Sequence, residues 1–141
     1  MMTDEVRVRH LGGDRFAVDI REHTVLVDQP VGAGGTDSAP TPTELFVAGL
    51  ASCVAFYARR YAARHQFSTD GLQVAVGYEL GGRPARVSRI AIVVTPPAAL
   101  PPDRRDAFLA VASHCTVHNT LVQPPTIDIT LAPDPVAVVG D

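Results

Sequence analysis

The chain has 141 residues, 46% apolar and 19% charged, with a formal net charge of -3; that length suits one domain, able to bury about 68% of the surface its unfolded form exposes. Twelve basic against fifteen acidic residues, with no basic run longer than a pair such as Arg59-Arg60, argue against nucleic acid or an anionic membrane as partner. Two cysteines are too few for a disulfide framework, and the first residues carry early acids and no apolar block, so the expectation is a cytoplasmic protein with free thiols.

Residues 6–10, 16–21 and 24–28 read as short strands joined at Gly12-Gly13-Asp14 and Glu22-His23, a small antiparallel meander. Gly32-Ala33-Gly34-Gly35 runs into a proline-rich loop instead of a helix, so it reads as flexible punctuation and not as a phosphate cradle. Thr41-Pro42-Thr43-Glu44 then supplies a capping hydroxyl, a proline at the first helical position and a glutamate at the third, a capping box that opens a helix over 42–65. From Leu45 to Ala58 this helix is apolar all round and must be enclosed on most sides, while Arg59, Arg60, Arg64 and His65 mark its emergence into water. The apolar run is shorter than the roughly 20 residues of a membrane span. One small sheet cannot wrap it, and the low charged fraction points to cover from a partner subunit.

Leu72, Val74, Val76, Tyr78 and Leu80 alternate with their neighbours, and Ile90, Ile92 and Val94 repeat the two-residue period after the turn Gly81-Gly82-Arg83-Pro84, which predicts a hairpin. A second helical region over 103–121 breaks near Cys115, where Thr116 and Val117 weaken helix propensity. A last strand follows Pro125, with Ile127, Ile129 and Leu131 on one face. The order is βββ-α-ββ-α-β, an α+β domain over 1–132 followed by a tail, 133–141.

The chemistry centres on the cysteines. A buried cysteine such as Cys53 is most often a small hydrophobe, and a reactive one needs a nearby cation or helix amino end to stabilise its thiolate. Glu44 precedes Cys53 by nine positions, which puts it on the opposite side of the helix and about 13 Å away, so capping is its sufficient role. Cys115 and His118 form a Cys-x-x-His spacing beside His114, but too few further ligands exist for a zinc site, and His10 and His23 have no visible partner. No metal is expected, and with no nucleophile elbow, phosphate loop or dinucleotide fingerprint, no cofactor either.

Three stretches together resemble the OsmC/Ohr family of thiol-dependent peroxidases: Asp28-Gln29-Pro30 with Gly34-Gly35, then 40–53 ending in Ala51-Ser52-Cys53, then Cys115-Thr116-Val117-His118-Asn119-Thr120-Leu121. The resemblance implies an intertwined α+β homodimer whose two central helices are enclosed by sheets from both subunits. It also implies that Cys53 is the peroxidatic and Cys115 the resolving cysteine, with an external dithiol reductant closing the cycle. An arginine from the N-terminal part organises the thiol in the peroxide-reducing branches, and Arg15, beside the Gly12-Gly13 turn, stands where one branch keeps it. Their glutamate, ten positions before the reactive cysteine, falls here on Thr43, and the usual proline after the second cysteine is Thr116. The chain is thus nearer the general OsmC-like members than the dedicated organic hydroperoxide reductases. Phe46, Leu50, Phe56 and Tyr57 offer aliphatic and aromatic contacts to an organic hydroperoxide, or are simply core. The competing class is a dimeric protein that binds a small ligand and has little peroxidase activity; a thioesterase is third, since no general base lies near the central helix.

Overall fold

A computed structural model of the chain describes residues 4–133. Strands β1 (Val6–Gly12), β2 (Arg15–Ile20) and β3 (His23–Val27) form an antiparallel meander. Register places Val8 opposite Val18 and Val18 opposite Val25, so the period-two apolar residues line one face. The tight turns use left-handed backbone at Gly12, Gly13 and Arg21.

Between β3 and the long helix the backbone is knotted around Asp28, which is 1% exposed. Its carboxylate accepts hydrogen bonds from Gln29 N (2.7 Å), Thr36 N (3.3 Å), Thr36 Oγ1 (2.7 Å), Ser38 N (3.0 Å) and Ser38 Oγ (2.7 Å). These bonds, led by the Thr36 hydroxyl, hold its pKa far below the usual carboxylate range. The glycine run expected to be loose punctuation is part of this knot. A Cβ on Gly35 would run into the Gln29 carbonyl and the Asp28 carboxylate, so only glycine lets the loop close.

Helix α1 (Pro42–Arg64) begins at the expected box: Thr41 Oγ1 accepts from Glu44 N (3.1 Å) and Glu44 Oε1 from Thr41 N (2.8 Å). Its length is about 35 Å. The hairpin β4 (Gln73–Gly81) and β5 (Arg86–Thr95) packs Leu72, Val74, Ile90, Ile92 and Val94 toward it. After a 3-10 turn at Pro102–Arg104 come α2 (Arg105–Ser113) and α3 (Thr116–Val122), with the expected break at Cys115. The core joins Leu50, Val54, Ala58 and Tyr61 of α1 to Leu100, Phe108, Ala112 and Cys115, with Tyr61 and Phe108 edge to face at 5.8 Å.

One expectation, the enclosure of α1, is tied to a partner subunit and is not met within a single chain; another is corrected. Within one chain α1 is not enclosed on most sides: the buried stripe is Val47, Leu50, Val54, Ala58, Tyr61 and Ala62, while Phe46 and Phe56 stay 41% and 51% exposed. The meander packs mainly on itself. The strand after Pro125 does not form either. Ile127, Ile129 and Leu131 are 75%, 92% and 97% exposed, because a two-residue period becomes a strand only where a sheet edge receives its backbone, and neither sheet of the chain does so. The order among the described residues is therefore βββ-α-ββ-α-α. Of the expected tail 133–141, all but residue 133 lies outside the described residues.

Candidate functional site

The structure brings together two free thiols that are far apart in the sequence, Cys53 and Cys115. Cys53 lies three turns into α1, at the margin between the buried stripe and the open face, and is half-buried. Cys115 is fully buried in the corner between α2 and α3, where its extended backbone (φ -78°, ψ 160°) makes it the N-cap of α3. Its Sγ accepts a hydrogen bond from His118 N at 3.3 Å. The Cys53 side chain packs against the buried cluster that contains Cys115. Burial pushes the Cys115 thiol pKa up; His118 N–H draws it partly back, and the neighbouring Cys53 again raises it. Cys115 therefore holds its proton firmly, while Cys53 is the thiol that solvent reaches.

One turn beyond Cys53, the Tyr57 hydroxyl meets the Thr116 hydroxyl at 3.2 Å, tying α1 to the first residue of α3. At 100° per residue Phe46 and Tyr57 fall within about 40° of Cys53 around the helix, and Phe56 about 60° to the open side. Phe56 and Tyr57 sit edge to face at 5.3 Å. Leu50 belongs to the core, though it also lines a cavity of about 130 Å³ together with Val54, Ile92, Val94, Leu109 and His118.

Other sequence-derived candidates fall elsewhere. Arg15 opens β2 at an exposed position in the meander, and no ion pair joins it to any group among the described residues. Glu44 is occupied by its capping box. His118 meets Cys115 through its backbone N–H and not its ring, whose Nδ1 is buried without a partner. Among the described residues no three His, Cys, Asp or Glu side chains converge as metal ligands. No helix there is long and apolar enough to cross a membrane. Sequence reasoning missed the Tyr57–Thr116 link and the capping role of Cys115. An extended residue before Thr-x-His at a helix break is the signal that could have revealed the latter.

Residues 35–130 match the family described as OsmC-like protein. A structure from Psychrobacter arcticus, ascribed to the osmotic stress and detoxification response, is 25% identical with a TM-score of 0.76 over 85% of this chain and 88% of that one. The organic hydroperoxide resistance protein OsmC of Legionella pneumophila is 20% identical with a TM-score of 0.61, covering 86% and 90%. An OsmC-like protein of unknown function from Vibrio cholerae is 14% identical with a TM-score of 0.70, covering 85% and 94%. No curated protein matches the sequence.

Proposed function

The chain belongs to the OsmC-like protein family, and from that premise we propose that it is a two-cysteine peroxidase that reduces organic hydroperoxides, working as a homodimer. The observation that carries the reading is the pairing of an accessible thiol, Cys53, with a buried, proton-holding one, Cys115. The Cys53 thiolate attacks the outer oxygen of the hydroperoxide; the O–O bond breaks, the alkoxide takes a proton and leaves as the alcohol, and Cys53 becomes a sulfenic acid. The Cys115 thiol then displaces that hydroxyl: an S–S bond forms, and water carries away the hydroxyl with the Cys115 proton. An external dithiol reduces the disulfide by exchange and leaves oxidised itself.

Phe46, Phe56 and Tyr57 share the side of α1 that bears Cys53, with Leu50 in the core beside it, and such apolar neighbours suit an organic substituent better than hydrogen peroxide. Dimerisation is supported by the apolar surface a single chain leaves open: Val6, Val8, Phe46, Phe56 and the 127–131 segment. In the dimer a partner's sheet covers α1, and Arg15 of the meander supplies the cation that stabilises the Cys53 thiolate. The activity belongs in the cytoplasm, where a dithiol pool is at hand.

The test is one equivalent of cumene hydroperoxide added to the reduced protein, with stopped-flow timing of thiol loss and non-reducing peptide mapping. A fast, stoichiometric Cys53–Cys115 disulfide is expected. Oxidation at the pace of a free thiol, without that disulfide, would refute the peroxidase and favour a ligand-binding protein, the reading Thr43 would then support. An Arg15→Ala chain that oxidises as fast as the parent removes Arg15 from the mechanism.

A further inference from the structure

Beside the thiol pair, a cleft runs between α1 and α2, a volume of about 440 Å³ lined by Tyr57, Arg60, Arg64, Ala110, Val111 and His114. Although the chain is net acidic, no acidic residue among the described residues lines this cleft, and none occurs in the sequence of 45–69 or 107–127. The ion pairs among the described residues, Arg7–Glu5 and Arg9–Asp19, both lie in or beside the meander. The Arg60 guanidinium is held over the Phe56 and Tyr57 rings at 5.7 and 5.9 Å, which fixes its plane while leaving its N–H donors without a carboxylate. His114 is oriented too: its Nδ1 is 2.6 Å from the Ala110 carbonyl, so Nδ1–H donates there and Nε2 is turned away. On α1, Arg60 and Arg64 fall within about 20° of Cys53 around the axis, about 10 and 16 Å beyond it.

We propose that this cleft binds the carboxylate of a small organic acid, Arg60 and Arg64 receiving the charge while Tyr57, Ala110 and Val111 receive the apolar body. Two planar, permanently charged donors with an apolar wall between them match a carboxylate on a short aliphatic chain. The alignment with Cys53 directs such a chain along α1. The site rests on the cleft and its arginines; it shares Tyr57 with the proposed hydroperoxide approach and needs neither cysteine.

The test is calorimetric titration of the reduced full chain with octanoate and with octanol, its uncharged counterpart. Octanoate is expected to bind once per chain, octanol at least tenfold more weakly, and added salt to weaken octanoate. Arg60→Gln and Arg64→Gln are each expected to cost about tenfold in octanoate affinity, with circular dichroism showing an intact fold. Cys53→Ser should bind octanoate unchanged, so a chain that fails to reduce peroxide can still show this site. Equal binding of octanol and octanoate, or unaltered octanoate binding by the Arg60→Gln/Arg64→Gln double variant, overturns the proposal.

Discussion

Cys115 caps α3 and, in the proposed cycle, resolves the sulfenic acid; replacing it by alanine and by serine tells the two roles apart. Its sulfur is fully buried and caps α3 through His118 N at 3.3 Å. Alanine removes a buried atom worth about 0.8 kcal/mol, as for a methylene, and a cap worth about 1 kcal/mol, so the expected loss is about 2 kcal/mol. Serine keeps an acceptor at the cap and should be about 1 kcal/mol more stable than alanine. The assay is urea unfolding of reduced protein at one fixed chain concentration, since assembly couples to stability; thermal midpoints should differ by roughly 3 °C per kcal/mol. After one equivalent of hydroperoxide both variants should halt with Cys53 as sulfenic acid, because no second thiol is there to condense. An alanine variant as stable as the serine one would refute the capping argument. A serine variant that still closed an intramolecular disulfide is chemically impossible, so the informative failure is rapid hydroperoxide loss with Cys53 never oxidised.

Further outcomes follow from the same geometry. Because Cys115 has a raised pKa in the fold, the folded state keeps a proton that the unfolded state loses above about pH 8.5; stability should fall as pH rises past that point, and Cys115→Ala should flatten this limb in pH-dependent unfolding. Asp28 is the opposite case, its folded pKa far below the ordinary value; its contribution is present above about pH 4 and lost as pH falls further, so Asp28→Asn should be less stable at neutral pH and show a weaker acid dependence. Gly35→Ala should destabilise by more than an ordinary surface change, measured by urea unfolding, because the Gln29 carbonyl occupies the space of the new Cβ. Light scattering should report a dimeric mass at micromolar concentration for the parent and a smaller mass or aggregation for Ile129→Lys; an unchanged dimer would take the 127–131 segment out of the interface.

How far the sequence could be read depended on whether each signal was local. The capping box at Thr41–Glu44 and the alternation along β4 and β5 are decided by neighbours in the chain, and both stand as expected. The break at Cys115 was legible for a local reason too: β-branched residues follow it. The Asp28 knot was not, because its donors are eight and ten positions away and act only once the loop has closed. The thiol pair was legible only through resemblance, since nothing in the spacing of Cys53 and Cys115 says that α1 and α2 pack together. The strand pattern at 127–131 was read correctly as a pattern and wrongly as an element, for pairing is a property of the receiving edge and not of the segment.

That segment also sets a hazard for the chain as it is made. Ile127, Ile129 and Leu131 stand bare on an isolated copy, and a backbone waiting for an edge accepts any edge offered. Reciprocal exchange between two copies closes on itself and stops, whereas one-way donation leaves a fresh vacancy at each step and propagates into open chains. In the proposed dimer, closed symmetry is what keeps this segment from seeding open chains.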